Sequence, residues 1–129
     1  MAQEFANRLQ LNAKKPEGKF YAKVKDRFFA VIGQEAFLGG LLRKESTLAA
    51  ASLELAWFES KAAYTEHHAP IGSIPLRDVQ SCSRSSEDAK TSRVVVQTNG
   101  GPQLEVICEN EVAERWARDL EHLVAMVKQ

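Results

Sequence analysis

The sequence predicts a mainly β domain of about seven antiparallel strands, a barrel or sandwich capped by one carboxy-terminal α-helix. Three observations carry this. Short runs alternate apolar and polar residues, the period of half-buried strands, and Gly, Pro, Asn and Ser separate them. Successive runs are joined by turns and loops rather than crossover helices, which excludes a doubly wound α/β arrangement. One stretch, residues 110–128, holds the helical period throughout, with Val112, Trp116, Leu120, Leu123, Val124 and Val127 on one face. Glu114, Arg115, Arg118, Asp119 and Glu121 fall on the other. Asn110 suits an amino-terminal cap, Glu111 and Glu114 the positive end of the helix dipole, and Lys128 the negative end. A β chain that ends in a single helix uses it to plug an open end of its core, and Trp116 is the side chain to fill that gap.

The elements follow in order. Residues 8–12 alternate and form a short first strand; residues 14–19, charged and broken by Pro16 and Gly18, form a loop. Residues 20–32 are a long strand that places Lys23, Lys25, Arg27, Phe29 and Val31 on one face, basic at one end and apolar at the other. Such a strand starts at an open rim and ends in the core. Residues 33–51 are an insertion or an extra strand or helix, with Gly39 and Gly40 weakening both readings. Residues 52–59 are a strand with Leu53, Leu55 and Trp57 on one face. Residues 60–72 are a long polar loop, and residues 73–76 a short strand with Ile74 and Leu76 inward and Pro75 where no ladder bond is needed. Residues 79–84 form a further strand and residues 85–92 a loop. Residues 93–98 and 103–108 form a hairpin about Asn99, Gly100, Gly101 and Pro102.

The 129 residues suffice for a single domain, 1–129, with residues 1–6 flexible. Apolar content of 44% and charged content of 26% are those of an ordinary globular protein. No apolar run approaches the ~18 residues of a membrane span, and the amino terminus has no signal-peptide apolar core. Cys82 and Cys108 read as reduced thiols of a cytosolic protein, able to sit on neighbouring strands. Zero net charge argues against nucleic-acid binding. It conceals a division: residues 1–45 hold nine Lys/Arg against five Asp/Glu, and residues 46–129 eight against twelve. Much of the positive charge lies between Lys14 and Arg27, so a neutral domain can still show one basic mouth to an anionic surface.

The segments RFFAV (27–31), SLELAWFESK (52–61), GSIPLRDV (72–79) and ENEVAERWARDLEHLV (109–124) together resemble a pleckstrin homology (PH) domain over residues 7–128. The most specific parts are the Gly72-x-Ile74-x-Leu76 strand and the Trp116 helix. The resemblance implies two near-orthogonal antiparallel sheets of seven strands in all, capped by the tryptophan-bearing helix. It also implies a phosphoinositide headgroup site between the first two strands, built from Lys14 and Lys15, then Lys25 and Arg27, with Lys23, Arg43, Lys44 and Lys61 as additional candidates. Inositol phosphates carry dense negative charge and need several Lys/Arg donors converging from neighbouring strands. Val24 stands where the family has an aromatic residue, and residues 33–51 are longer than the usual link to the third strand. Two registers follow. In the favoured one, residues 20–32 are the second strand; in the other they are the first, residues 36–44 the second, and Arg43 and Lys44 the basic pair.

The expected function is a non-enzymatic targeting or adaptor module, cytosolic and peripheral at an anionic membrane. The alternative is a protein-interaction module without specific lipid binding, which apolar residues of 37–42 would serve. No cofactor and no metal is expected: His67 and His68 lack a third ligand at metal spacing. Ser81, Ser83, Ser85 and Ser86 lack a paired base, and Gly39-Gly40 is no phosphate loop.

Overall fold

A computed structural model of the chain describes residues 8–17, 23–33, 53–101 and 103–128. Seven strands are present: β1 (Leu11–Glu17), β2 (Lys23–Gly33), β3 (Leu53–Phe58), β4 (Gly72–Pro75), β5 (Val79–Ser86), β6 (Thr91–Thr98) and β7 (Leu104–Glu109). Among the described residues two helices accompany them, α1 (Lys61–Thr65) and α2 (Asn110–Val127), with a 3-10 turn at Leu76–Asp78. All pairings are antiparallel, and the strands form one curled half-barrel sheet in the order β4-β3-β2-β1-β7-β6-β5. The two halves meet at a narrow seam. β1 pairs with β2 along its whole length, from Leu11↔Phe29 to Glu17↔Lys23, but with β7 only at Lys14↔Ile107.

β1 follows β2's partner order expected in the favoured register, but it reaches further than predicted. Residues 14–17 are strand and not loop, because seven cross-strand pairs outweigh the local preference of Pro16. Pro16 lies beyond the one bridge to β7, where β1's second edge has no ladder to complete. Pro75 likewise sits on β4, an edge strand. Residues 60–72 are not simply loop, since they contain α1. The Ser60 Oγ caps it by accepting from the Ala63 N–H at 3.1 Å, and the Tyr64 ring rests 5.3 Å from both Phe28 and Phe58. The loop expected at 85–92 shrinks to residues 87–90, because Ser85 pairs with Arg93 and Ser86 with Ser92. Asp88 turns the chain there, accepting from the N–H groups of Lys90 and Thr91. Arg43, Lys44, the 33–51 insertion beyond Gly33 up to Leu53, and residues 1–6 lie outside the described residues.

The main core lies in the concave face. Leu11, Phe29, Val31, Leu55, Val94, Val96 and Val106 meet Trp116, Leu120 and Leu123 of α2. Trp116 packs edge-on against Phe29 at 6.2 Å, and its Nε1–H donates to the Leu9 carbonyl at 2.9 Å. A second apolar cluster, Phe28, Ala30, Ile32, Ala56 and Phe58, lies on the opposite face of β2 and β3, with Ala63 and Tyr64 against it. α2 begins differently from expectation. Glu109 is the cap residue and makes no side-chain cap bond. Asn110 is instead tied sideways: its Oδ1 accepts from Ser92 at 2.6 Å and its Nδ2 donates to the Ala89 carbonyl. Asp119, assigned to the polar face, is buried. Lys128 is the carboxy-terminal cap and donates through Nζ to the Val79 carbonyl. Cys82 and Cys108 are free and sit on β5 and β7, with β6 between them.

Candidate functional site

Antiparallel register sets which end of the sheet each connection occupies. Glu17 pairs with Lys23, Phe58 with Phe28, and Leu104 with Val96, while Lys14↔Ile107 orients β7 against β1. The tips of β1 and β2, the end of β3 with α1, and the β6–β7 turn therefore share one end of the half-barrel. Leu9, Trp116 and the start of α2 lie at the other. Toward the first end lie Lys15, Lys23, Lys25 and Arg27.

Cross-strand partners share a face, so Ala13↔Arg27, Lys15↔Lys25 and Glu17↔Lys23 continue toward the rim the same concave face that carries Leu11 and Phe29. Lys15, Lys23, Lys25 and Arg27 are thus one group of four cations with Glu17 among them. Lys23 and Lys25 are exposed. Lys15 and Arg27 are not: each side chain keeps only 15% of its exposure. Arg27 donates through Nε and Nη2 to both oxygens of Glu17, each at 2.9 Å, and Lys15 Nζ stands 3.6 Å from the same carboxylate. These bonds from Arg27 hold the Glu17 carboxyl below the usual range, against the opposing effect of burial and with the Lys15 charge assisting. The same pairing raises the Arg27 pKa.

Beneath Lys15 lies Trp57, whose ring centroid is 4.9 Å from Nζ. Trp57 in turn needs Gly72, where a Cβ would come within 2.5 Å of the indole. The strand glycine of β4 therefore gives room to the platform under a lysine of β1.

Other predicted residues separate from this group. Lys14 falls on the opposite face, exposed, in a 3.0 Å ion pair with its register partner Asp26. Lys61, at the start of α1, lies on that side too. Both line a concavity of about 620 Å³ along the β1–β7 seam, together with Arg27 and the carboxylates Asp26, Glu59 and Glu109. Arg27 is already committed to Glu17, so Lys14 and Lys61 face three carboxylates there, and the concavity offers no surplus of positive charge to an anion. Among the described residues no group of three or more His, Cys, Asp or Glu is gathered to hold a metal.

Two members of the rim group, Glu17 and Trp57, were absent from the sequence-based site. Extending the Leu11/Ala13 alternation by four residues would have placed Glu17 beside Lys15. Nothing local could have brought Trp57 there, since it lies two strands away.

No family model matches the chain, and no curated protein matches it. Solved structures do. The PH domain from TgAPH superposes with a TM-score of 0.61 at 14% identity, covering 99% of this chain and 92% of that one. The PH domain from PfAPH gives 0.62 at 15% identity, covering 98% and 91%. At such identities the similarity is one of architecture: seven antiparallel strands in a curled sheet with a carboxy-terminal helix, the PH fold.

Proposed function

We propose that residues 1–129 form one non-catalytic binding module that attaches peripherally to anionic membranes, taking a phosphoinositide headgroup at the rim of β1 and β2. The observation that carries this reading is the single-faced group of Lys15, Lys23, Lys25 and Arg27, with one carboxylate among four cations. Convergent donors from two adjacent strands are what a polyphosphorylated ring requires. Lys14 and Lys61 belong to the opposite side and are not part of this site. No helix of the described residues is long and apolar enough to cross a membrane.

The magnitude is modest. Each cation near an anionic leaflet contributes about 1 kcal/mol, so four alone give roughly millimolar affinity. Attachment is therefore salt-sensitive, and a formed headgroup contact must supply the rest. Vesicle co-sedimentation tests this. Lys23→Ala/Lys25→Ala removes two exposed cations and should weaken binding to phosphatidylinositol bisphosphate vesicles about thirtyfold. If the wild-type domain sediments with no anionic vesicle, the lipid reading is wrong and the fold serves a protein partner instead.

A further inference from the structure

Glu17 occupies the place in the rim that an incoming anion would take. Its carboxylate already accepts two hydrogen bonds from Arg27 and neutralises Lys15, the two least exposed cations of the group. We propose that Glu17 is a specificity residue: a resident counter-ion that a ligand must displace, so that the rim discriminates by charge density. The inference rests on the headgroup reading above.

The argument is one of exchange. A lipid phosphodiester carries a single negative charge. Replacing a carboxylate that already has a bidentate guanidinium contact by one such group returns the same kind of bond and adds none. The expelled Glu17 also remains nearby and repels the newcomer. A phosphomonoester carries about −1.5 to −2. A ring with two of them brings more charge and more acceptor oxygens than the carboxylate it displaces, and it can reach Lys23 and Lys25 at the same time. Glu17 thus weakens all anions but penalises the singly charged ones most, which is selectivity obtained by a repulsive element. It lies on β1 at the point where Lys23 is its partner across the hairpin, so displacement needs a side-chain rotation and no break in the ladder.

The test compares phosphatidylserine vesicles with phosphatidylinositol bisphosphate vesicles matched in surface charge, for the wild type and Glu17→Gln, with thermal melts of both proteins. The wild type should prefer the bisphosphate by about tenfold or more, and Glu17→Gln should bind phosphatidylserine about tenfold more tightly and lose most of that preference. Glu17→Gln/Arg27→Ala should forfeit the gain. A wild type that prefers the bisphosphate while Glu17→Gln matches it on both vesicles leaves the headgroup reading standing and overturns this one. A wild type that binds both vesicles equally overturns both readings, a result that needs no variant. If neither protein binds either vesicle, both readings fall. Glu17→Gln binding phosphatidylserine where the wild type binds only the bisphosphate supports the resident counter-ion.

Discussion

Glu17 shows how one side chain serves stability and ligand choice in opposite directions. Its native pKa is lowered, chiefly by Arg27. The unfolded chain therefore takes up a proton first as pH falls, near the ordinary glutamate value of about 4.3. The stabilisation is complete above that pH and is lost as pH falls through the lower native value. Denaturant unfolding of wild type and Glu17→Gln should differ by about 1 kcal/mol near neutrality, the upper part of the range for partly exposed pairs, and converge in acid. The same substitution that costs stability should raise anion affinity. The two thiols titrate with the reverse sign. Burial pushes Cys82 up to about 12 and Cys108 up to about 11, with Glu121 and Glu109 adding smaller effects. Both remain thiols at neutral pH, so native protein should react with a disulfide reagent far more slowly than unfolded protein. Because unfolded cysteine ionises near 8.5, they also make the fold less stable as pH rises above that value, a loss that Cys82→Ala should reduce.

At the scale of elements, α2 is held by one hydrogen bond more than its apolar stripe suggests. Trp116→Phe keeps a ring against Phe29 but leaves the Leu9 carbonyl without its donor. A loss of about 1–3 kcal/mol is expected, read as a shift in the denaturation midpoint with unchanged slope. The elements also show what was legible beforehand. The alternation of Leu53, Leu55 and Trp57, the Asn99–Gly101 turn and the spacing from Val112 to Val127 are local patterns, and the corresponding strand, hairpin and helix are present. β1 was legible only to residue 12, because the pairing that keeps Lys14 to Glu17 extended comes from β2 across the hairpin. α1 was invisible because five residues do not hold a helix unaided; the Phe28, Phe58 and Tyr64 rings hold it. Near the rim, the strand period places Lys23, Lys25 and Arg27 on one face, and the β1–β2 register keeps them together; Lys15 falls in a stretch that reads as loop, so its place beside them was not legible. Nor was the separation of Lys14 from Lys15 legible, since only a strand, where one residue turns a side chain to the other face, divides them. Asn110 fits a cap by composition, yet Ser92 on a neighbouring strand competes for its amide and wins.

At the scale of the whole molecule, the apolar cores and the rim divide the labour. α2 covers the concave face at the end away from the basic rim, so its removal should destroy the fold rather than the site. A protein lacking residues 110–129 should show no cooperative melt, and a sharp transition in that truncated chain would falsify the assignment of Trp116 to the core. The 107 positions between Leu9 and Trp116 have a further consequence, one of time. The β1–β2 hairpin can close as soon as residue 33 is made, but its seam to β7 and its tie to Trp116 wait for residues 107 and 116. At about 5–20 residues per second, a synthesising ribosome leaves that hairpin for roughly four to seventeen seconds without α2, whose Trp116 packs on Phe29. For that interval Phe29, the largest fully buried side chain among the described residues, depends on Trp57 of β3 and whatever else is near it.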